Sequence, residues 1–557
     1  MRNSPSPSGV RLTLFVLSLL SIPSHLCSAQ APAPAQDTPQ NSTSRIAGTI
    51  VNALDGSPLG RARISIFETS NRTNTVSLVT SENGHFEFSG LKSGKFSLQG
   101  TKRGFLTAAY DQHEQYSTAI VTDAGLDTEH LVLRLTPLAT LSGKVLDESG
   151  DPVRHAQVFL YRENRGAGLN RISSAGSSPT DDQGSYEFPS LMPGNYFLSV
   201  EAKPWYAVHP VSLTPDGTPN RPVVQPSLDV SYPVTYYNGA TEADSAVPIS
   251  VKAADHVQID VQLNPVPSLR VLFHVPTEQN AYVPPVFEKR VFDSQQFIES
   301  GGTQQVSPGV FEVMGIPPGK YIVQQNDAKT GQLVRSVEME LSQNGQELDQ
   351  SVGELVGKAK LAIRLPRGEK PPKQFVVLLQ DSRRHVVGLP LKNDDTVEFG
   401  NLPAGKYSIV FSSPNKPYSV TRTVSNGIES QGHDLNIAPG ASVDVTLFLT
   451  EGVTTIEGFA KRGDKGSAGV MVILVPKDPQ VHQELLRRDQ TDLDGSFTLR
   501  GVIPGTYTIV AVEDAWGSPW LQPDVLARYV KHGQNVTIAE MMQGSVRLTD
   551  PVAVQPR

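Results

Sequence analysis

The sequence predicts an all-β chain, a tandem array of about five β-sandwich modules behind an export signal. Three observations predict it. One short motif recurs five times: "FEFSGLKSGKFSL" from Phe86, "YEFPSLMPGNYFL" from Tyr186, "FEVMGIPPGKYIV" from Phe311, "VEFGNLPAGKYSI" from Val397 and "FTLRGVIPGTYTI" from Phe497. The 46 glycines and 43 prolines stand between short apolar runs, which is the punctuation of many turns. Apolar residues make up 38% of the 557 positions, enough to build cores for three to five domains.

The chain opens with Arg2, Arg11 and the apolar run "LTLFVLSLL" from Leu12 to Leu20, followed by "CSAQ". That order predicts a signal peptide over residues 1–29, cut after Ala29. A lipobox reading of "SHLC" puts Leu26 where a small residue is expected. Residues 30–44 form a Pro/Ala/Ser-rich linker. No other apolar run approaches the length of a membrane span, so no transmembrane segment is expected. Cys27, in the signal, is the only cysteine, so a mature chain would hold no disulfide and no Cys-ligated metal.

The five modules are placed at residues 45–137, 138–266, 267–356, 357–451 and 452–557. Their register is counted from an aromatic: Phe96, Tyr196, Tyr321, Tyr407 and Tyr507. Two residues earlier stand Gly94, Gly194, Gly319, Gly405 and Gly505; ten and eight residues earlier stand apolar side chains that share one face of a strand. A glycine after Pro193, Pro318 or Pro504 suits the third position of a type II turn, so the motif reads as a hairpin. Openings such as "LSGKVLDESGDPVRHAQVFLY" (Leu141 to Tyr161) and closings such as "LVLRL" (Leu131 to Leu135) bring the count to about seven strands per module. Modules 3 and 4 open more loosely, at "LRVLFHV" and "AKLAIRL".

The stretch "SGKVLDESGDPVRHAQVFL", followed by "TDDQGSYEFPSLMPGNYFLSVE", resembles the carboxypeptidase regulatory-like domain. The resemblance implies Ig-like/transthyretin-like β-sandwich modules, a fold grouped with carbohydrate-binding-like folds. It is strongest in modules 1, 2 and 5, and the opening motif is lost from modules 3 and 4. The resemblance reaches only the accessory sandwich. None of the twelve histidines has Glu three residues on, and H-E-x-x-H is absent. No G-x-S-x-G elbow, P-loop or G-x-G-x-x-G occurs either, and Ser, His and Asp are scattered with nothing pairing them. No enzyme, cofactor or metal site is therefore expected.

Four features remain as candidates. "TDLDG" (Thr491 to Gly495) resembles half of a calcium loop, but "TSENG" and "TDDQG" at the matching positions do not keep its carboxylates, so an Asx turn is the expectation. Trp205, Trp516 and Trp520 follow return strands and are candidate stacking platforms for a sugar, against the plainer reading that they cap a sandwich core. "VTYYNGA" (Val234 to Ala240) is an aromatic cluster without an evident role. "HQELLRRDQ" (His482 to Gln490) is a helix-like insertion weighed as a partner site. The net charge of −8 and the lack of a basic run exclude a nucleic-acid footprint. The expectation is a non-enzymatic, exported scaffold or adhesion-type protein of a bacterial envelope, in the periplasm, on the outer surface or outside the cell. It would be a monomeric rod of modules in line, partnered by an envelope protein or a polysaccharide. The alternative is polysaccharide binding through the loop aromatics.

Overall fold

The computed structural model describes residues 44–164, 171–209, 225–274, 284–326, 333–348, 354–381 and 386–557, apart from positions 415, 426, 431 and 541. The expected signal, its cleavage site and Cys27 lie outside the described residues. In module 1 the opening strand Ser44–Asn52 lies between His85–Leu91, antiparallel, and the closing strand Leu131–Leu135, parallel. The second sheet is built on Arg63–Glu68 and Lys95–Thr101. The same plan repeats four times. Ala139–Leu146 lies between Ser185–Leu191 and the pair His256–Gln258 and Val261–Gln262. Leu269–His274 lies between Val310–Ile316 and Gln346–Leu348. Gly357–Arg364 lies between Thr396–Leu402 and Ser442–Glu451, and Thr454–Arg462 between Ser496–Val502 and Gly544–Arg547. Modules 3 and 4 thus keep the topology after losing the opening motif, because their alternating apolar residues still fill the space between two sheets.

The recurrent motif is not a hairpin. Its first strand joins the opening strand, and its second joins the other sheet: Phe88 pairs with Ile46, whereas Phe96 pairs with Glu68. In modules 1 to 4 the turn carries the chain from one sheet to the other across the edge of the core; in module 5 it crosses between the two halves of one sheet, which Val552–Gln555 joins. The glycine is correspondingly not the third residue of a type II turn. Gly194, Gly319, Gly405 and Gly505 have φ of 157°, 153°, 155° and 159°, far from the value near +80° that such a turn takes. The left-handed residue comes four positions earlier, at Gly90, Ser190, Gly315, Asn401 and Gly501, with φ between 58° and 74°. It marks a β-bulge: from Ile46↔Phe88 to Ser44↔Leu91, two residues on one strand face three on the other, and each later copy does the same. The extra residue turns Leu191, Ile316, Leu402 and Val502 back into the core.

The aromatic after the turn is buried in every module: Phe96 5%, Tyr196 2%, Tyr321 3%, Tyr407 4% and Tyr507 2% exposed. In four of them the hydroxyl donates to the carbonyl four residues earlier, at 2.6–2.7 Å to Met192, Pro317, Pro403 and Ile503. Burial pushes the Tyr407 and Tyr507 hydroxyls up to about 12, so they stay protonated donors. Phe96 has no hydroxyl. There Thr122 Oγ1 donates to the equivalent carbonyl, Lys92, at 3.1 Å, and accepts from Gly94 N–H at 2.9 Å. Thr122→Val should therefore cost module 1 about 1–2 kcal/mol, as Tyr507→Phe should cost module 5. Urea unfolding of each variant checks this, and equal midpoints for variant and wild type would refute it.

Modules 2 and 3 share a core. Tyr161, Phe197 and Tyr236 point from the outer face of a module 2 sheet into the module 3 cluster. Phe292, at a hairpin tip of module 3, meets all three rings at centroid distances of 5.2, 4.9 and 5.9 Å. Its φ of 52° is a strained value for a bulky residue, held by that packing. The "YYNG" segment finds its role here: Asn238 and Gly239, both at positive φ, turn the chain sharply and Tyr236 drops into the junction with 0% exposure. Glu201 ends the adjacent strand, and its Oε1 is buried without a hydrogen-bond partner. Burial, with the Glu299 carboxylate adding to it, pushes its carboxyl up to about 7. With a folded-state value above the unfolded one, the group's penalty is absent at low pH, grows as pH rises above the ordinary carboxyl range and is complete above about 7. Glu201→Gln should therefore raise the melting temperature by roughly 2 °C or more at pH 8. The gain should shrink towards pH 4. Melting curves across that range check it, and an equal gain at both ends would refute it.

Candidate functional site

The expected helix at "HQELLRRDQ" is instead a short 3-10 turn, Gln483–Leu485, and a strand, Arg487–Gln490, paired antiparallel with Met471–Pro476. Strand period decides the outcome, because alternate side chains have different tasks. Arg487 donates to the carbonyls of Gly501, Glu484 and Leu486, and Asp489 accepts from Thr498 N–H, all within module 5. Burial pushes the Asp489 carboxyl up to about 6. Arg488 and Gln490 face the other way and reach module 1.

Gln490, 1% exposed, donates to Asp111 O at 2.5 Å and to Thr118 Oγ1 at 2.8 Å, and its Oε1 lies 3.1 Å from His113 Nδ1. Arg488 pairs with Glu114 at 2.8 Å and lies over the rings of Tyr116, Trp516 and Trp520. One turn further on, Asp492 accepts from Lys95 Nζ at 2.6 Å and from Ala119 N–H at 3.1 Å, while Leu493 N–H donates to Ala119 O at 3.0 Å. Module 1 is therefore docked on module 5, and the expectation of modules strung in line is corrected. The partners are up to 397 positions apart, so no local pattern announces them.

The same geometry settles "TDLDG". Asp492 is engaged with module 1, and Asp494 accepts from Ser496 N–H at 2.9 Å and from its hydroxyl, an Asx turn. The residue that the three copies need is the threonine. Thr80, Thr180 and Thr491 are buried, and each accepts from one backbone N–H and donates to one carbonyl across the turn.

The tryptophans separate into two kinds. Trp516 is 9% exposed, stacks on His113 at 5.2 Å and 9°, and donates from Nε1 to Gly469 O at 3.1 Å. Trp520 is 1% exposed among Met471, Ile473, Val475, Val510 and Leu526. This second cluster covers the outer face of the sheet, roofed by the α-helix Pro523–Val530. Neither ring offers a face to a sugar, which corrects their candidacy as stacking platforms. Trp205 is 87% exposed, edge-on to Tyr206, whose hydroxyl donates to Glu148.

A Ser, a His and an Asp do meet, contrary to the expectation that nothing pairs them. Ser268 Oγ at 2.5 Å and His209 Nδ1 at 2.9 Å share one oxygen of Asp229, whose other oxygen takes Arg270 at 3.2 Å. The serine bonds the carboxylate rather than the imidazole Nε2, so the arrangement lacks the relay of a nucleophilic triad. It ties module 2 to module 3.

Residues 45–132 and residues 140–225 each match the family model of the carboxypeptidase regulatory-like domain. The two matches fall on the first two modules. Residues 448–535 match the second β-sandwich domain described as BOS complex subunit NOMO1-like. Colossin-A of Dictyostelium discoideum is 23% identical over 370 residues, 60% of this chain, and the chain spans 3% of the length of that relative. Among solved structures, the streptococcal ancillary pilin shares 15% identity at a TM-score of 0.20, over 55% of this chain and 98% of that one. The Bacillus anthracis TIE protein shares 12% at 0.16, over 74% and 76%. No helix among the described residues is long and apolar enough to cross a membrane.

Placement predicts opposite behaviour for the tryptophans. Trp520→Ala should cost module 5 about 3–5 kcal/mol through the cavity it leaves. Trp205→Ala should change stability by less than about 0.5 kcal/mol. Thermal and urea unfolding of the two variants check this, and similar losses in both would contradict the placement.

Proposed function

We propose that the chain is an exported, non-enzymatic scaffold or adhesion-type protein of a cell envelope, with its first and last modules joined to each other. One observation carries the reading: the polar and aromatic side chains that a ligand site would use in module 5, among them Gln490, Asp492 and Trp516, are spent on holding module 1. Export rests on the signal-like residues 1–29, and the partner is an envelope protein. A second reading, polysaccharide binding, keeps Trp205 as its platform, since that ring alone of the three tryptophans is exposed.

A zero-length carbodiimide crosslink tests the first reading. Lys95 Nζ and Asp492 Oδ2, 2.6 Å apart, should be joined within single chains, and the crosslinked peptide should vanish in Lys95→Ala. Its absence from the wild type would sink the docked arrangement. The same chain, passed over envelope extract and a polysaccharide panel, should retain protein and no glycan. Glycan retention that Trp205→Ala abolishes would favour the second reading.

A further inference from the structure

At the junction of modules 4 and 5, His433 of module 4 meets His482 and Glu484 of module 5. One ligand-type atom from each lies within 4.8 Å of the others. We propose that these three side chains bind a divalent transition-metal ion, Zn²⁺ by donor chemistry, and that the ion pins module 4 to module 5.

The distances suit a small ion. His482 Nδ1 and Glu484 Oε1 are 3.3 Å apart. Two ligands about 2.0–2.1 Å from a tetrahedral zinc are separated by about 3.3–3.4 Å. The two imidazoles lie 6.0 Å apart between centroids, tilted by 54° and unstacked, with ligand-type atoms of the set within 4.8 Å of one another. Two imidazoles and one carboxylate form a set that zinc and its neighbours prefer over Ca²⁺ or Mg²⁺, which want mostly oxygen. Three protein ligands leave one position for water.

The surroundings hold the set in place. Ser419 Oγ, from module 4, donates to Glu484 Oε1 at 3.2 Å, orienting the carboxylate across the junction. Arg487 Nη1 donates to Glu484 O at 2.7 Å, fixing the backbone of the turn. The His433 carbonyl accepts from Ile409 N–H at 2.7 Å. The side chains of His433, His482 and Glu484 are 15%, 37% and 17% exposed, sheltered from bulk water yet open to an entering ion. Sequence spacing could not have found the site, because its two histidines stand in different modules.

Zinc is the probe that tests it. Calorimetry of the full chain should give one Zn²⁺ bound per chain, with a rise in melting temperature that Ca²⁺ and Mg²⁺ do not reproduce. His433→Gln and His482→Gln should each weaken binding at least about tenfold. His274→Ala, whose imidazole lies beside Glu347 away from the site, in module 3, should bind as the wild type does. X-ray absorption of the zinc-loaded wild type, which needs no variant to fold, should show two imidazole ligands at about 2.0–2.1 Å. A zinc shell without two imidazoles, binding that survives both His→Gln changes, or no stoichiometric binding would each overturn the proposal.

Discussion

The fold depends on carrying a chain from one sheet to another without stranding its backbone. A crossing turn at the edge of a sandwich leaves carbonyls outside both ladders, and a buried carbonyl without a partner costs on the order of 1–3 kcal/mol. Each module meets this with one carbonyl and one hydroxyl. Four use the tyrosine whose ring fills the core, so that a single side chain packs and caps. Module 1, with Phe96, divides the work and brings Thr122 from the turn after the strand Ile120–Val121. That the same carbonyl is satisfied by two unrelated routes shows that the constraint belongs to the turn and not to tyrosine.

The bulge is the second half of that constraint. Apolar residues ten, eight and five positions before the aromatic cannot all face inward on a regular strand, because the last step is odd. An extra residue in the left-handed region repairs the parity. Glycine supplies it in three modules, and Ser190 and Asn401 in the others. In module 5 the crossing glycine has a further reason: at Gly505 a Cβ would stand 3.3 Å from the Tyr507 ring, so the bare backbone lets the aromatic fold back over it.

Much of this was legible. The five-fold register, the sandwich class and the buried aromatics follow from short-range pattern, which period and turn chemistry encode directly. The odd step in the motif stands in the sequence, but only the pairing shows that a bulge resolves it. What pattern cannot encode is which sheet a strand joins. A hairpin and a crossing turn share the same residues, and they differ only in partners supplied by distant strands. The helix-like "HQELLRRDQ" failed similarly: its local propensity is helical, but pairing with Met471–Pro476 and the docking of module 1 outweigh a weak prior. Trp516 and Trp520 were visible as candidates, yet burial by a helix of the same module and a loop of another lay beyond local reading.

The junctions differ in chemistry, and the difference orders their response to conditions. Modules 2 and 3 are joined through aromatic rings around Phe292, where apolar burial dominates, beside the buried Arg270–Asp229 pair. Modules 1 and 5 are joined through Lys95–Asp492, Arg488–Glu114 and the Gln490 amide, with Trp516 as the principal aromatic element. Charged pairs at partly exposed positions are screened by salt, and the Lys95 side chain is 35% exposed. What keeps such a contact closed is connection as much as affinity. Modules 2 to 4 hold its two halves in one molecule, so closing it costs no second-body entropy. A polar contact closed by tethering feels ionic strength more than an aromatic one does, and the residues it engages are those that module 5 withholds from any other partner.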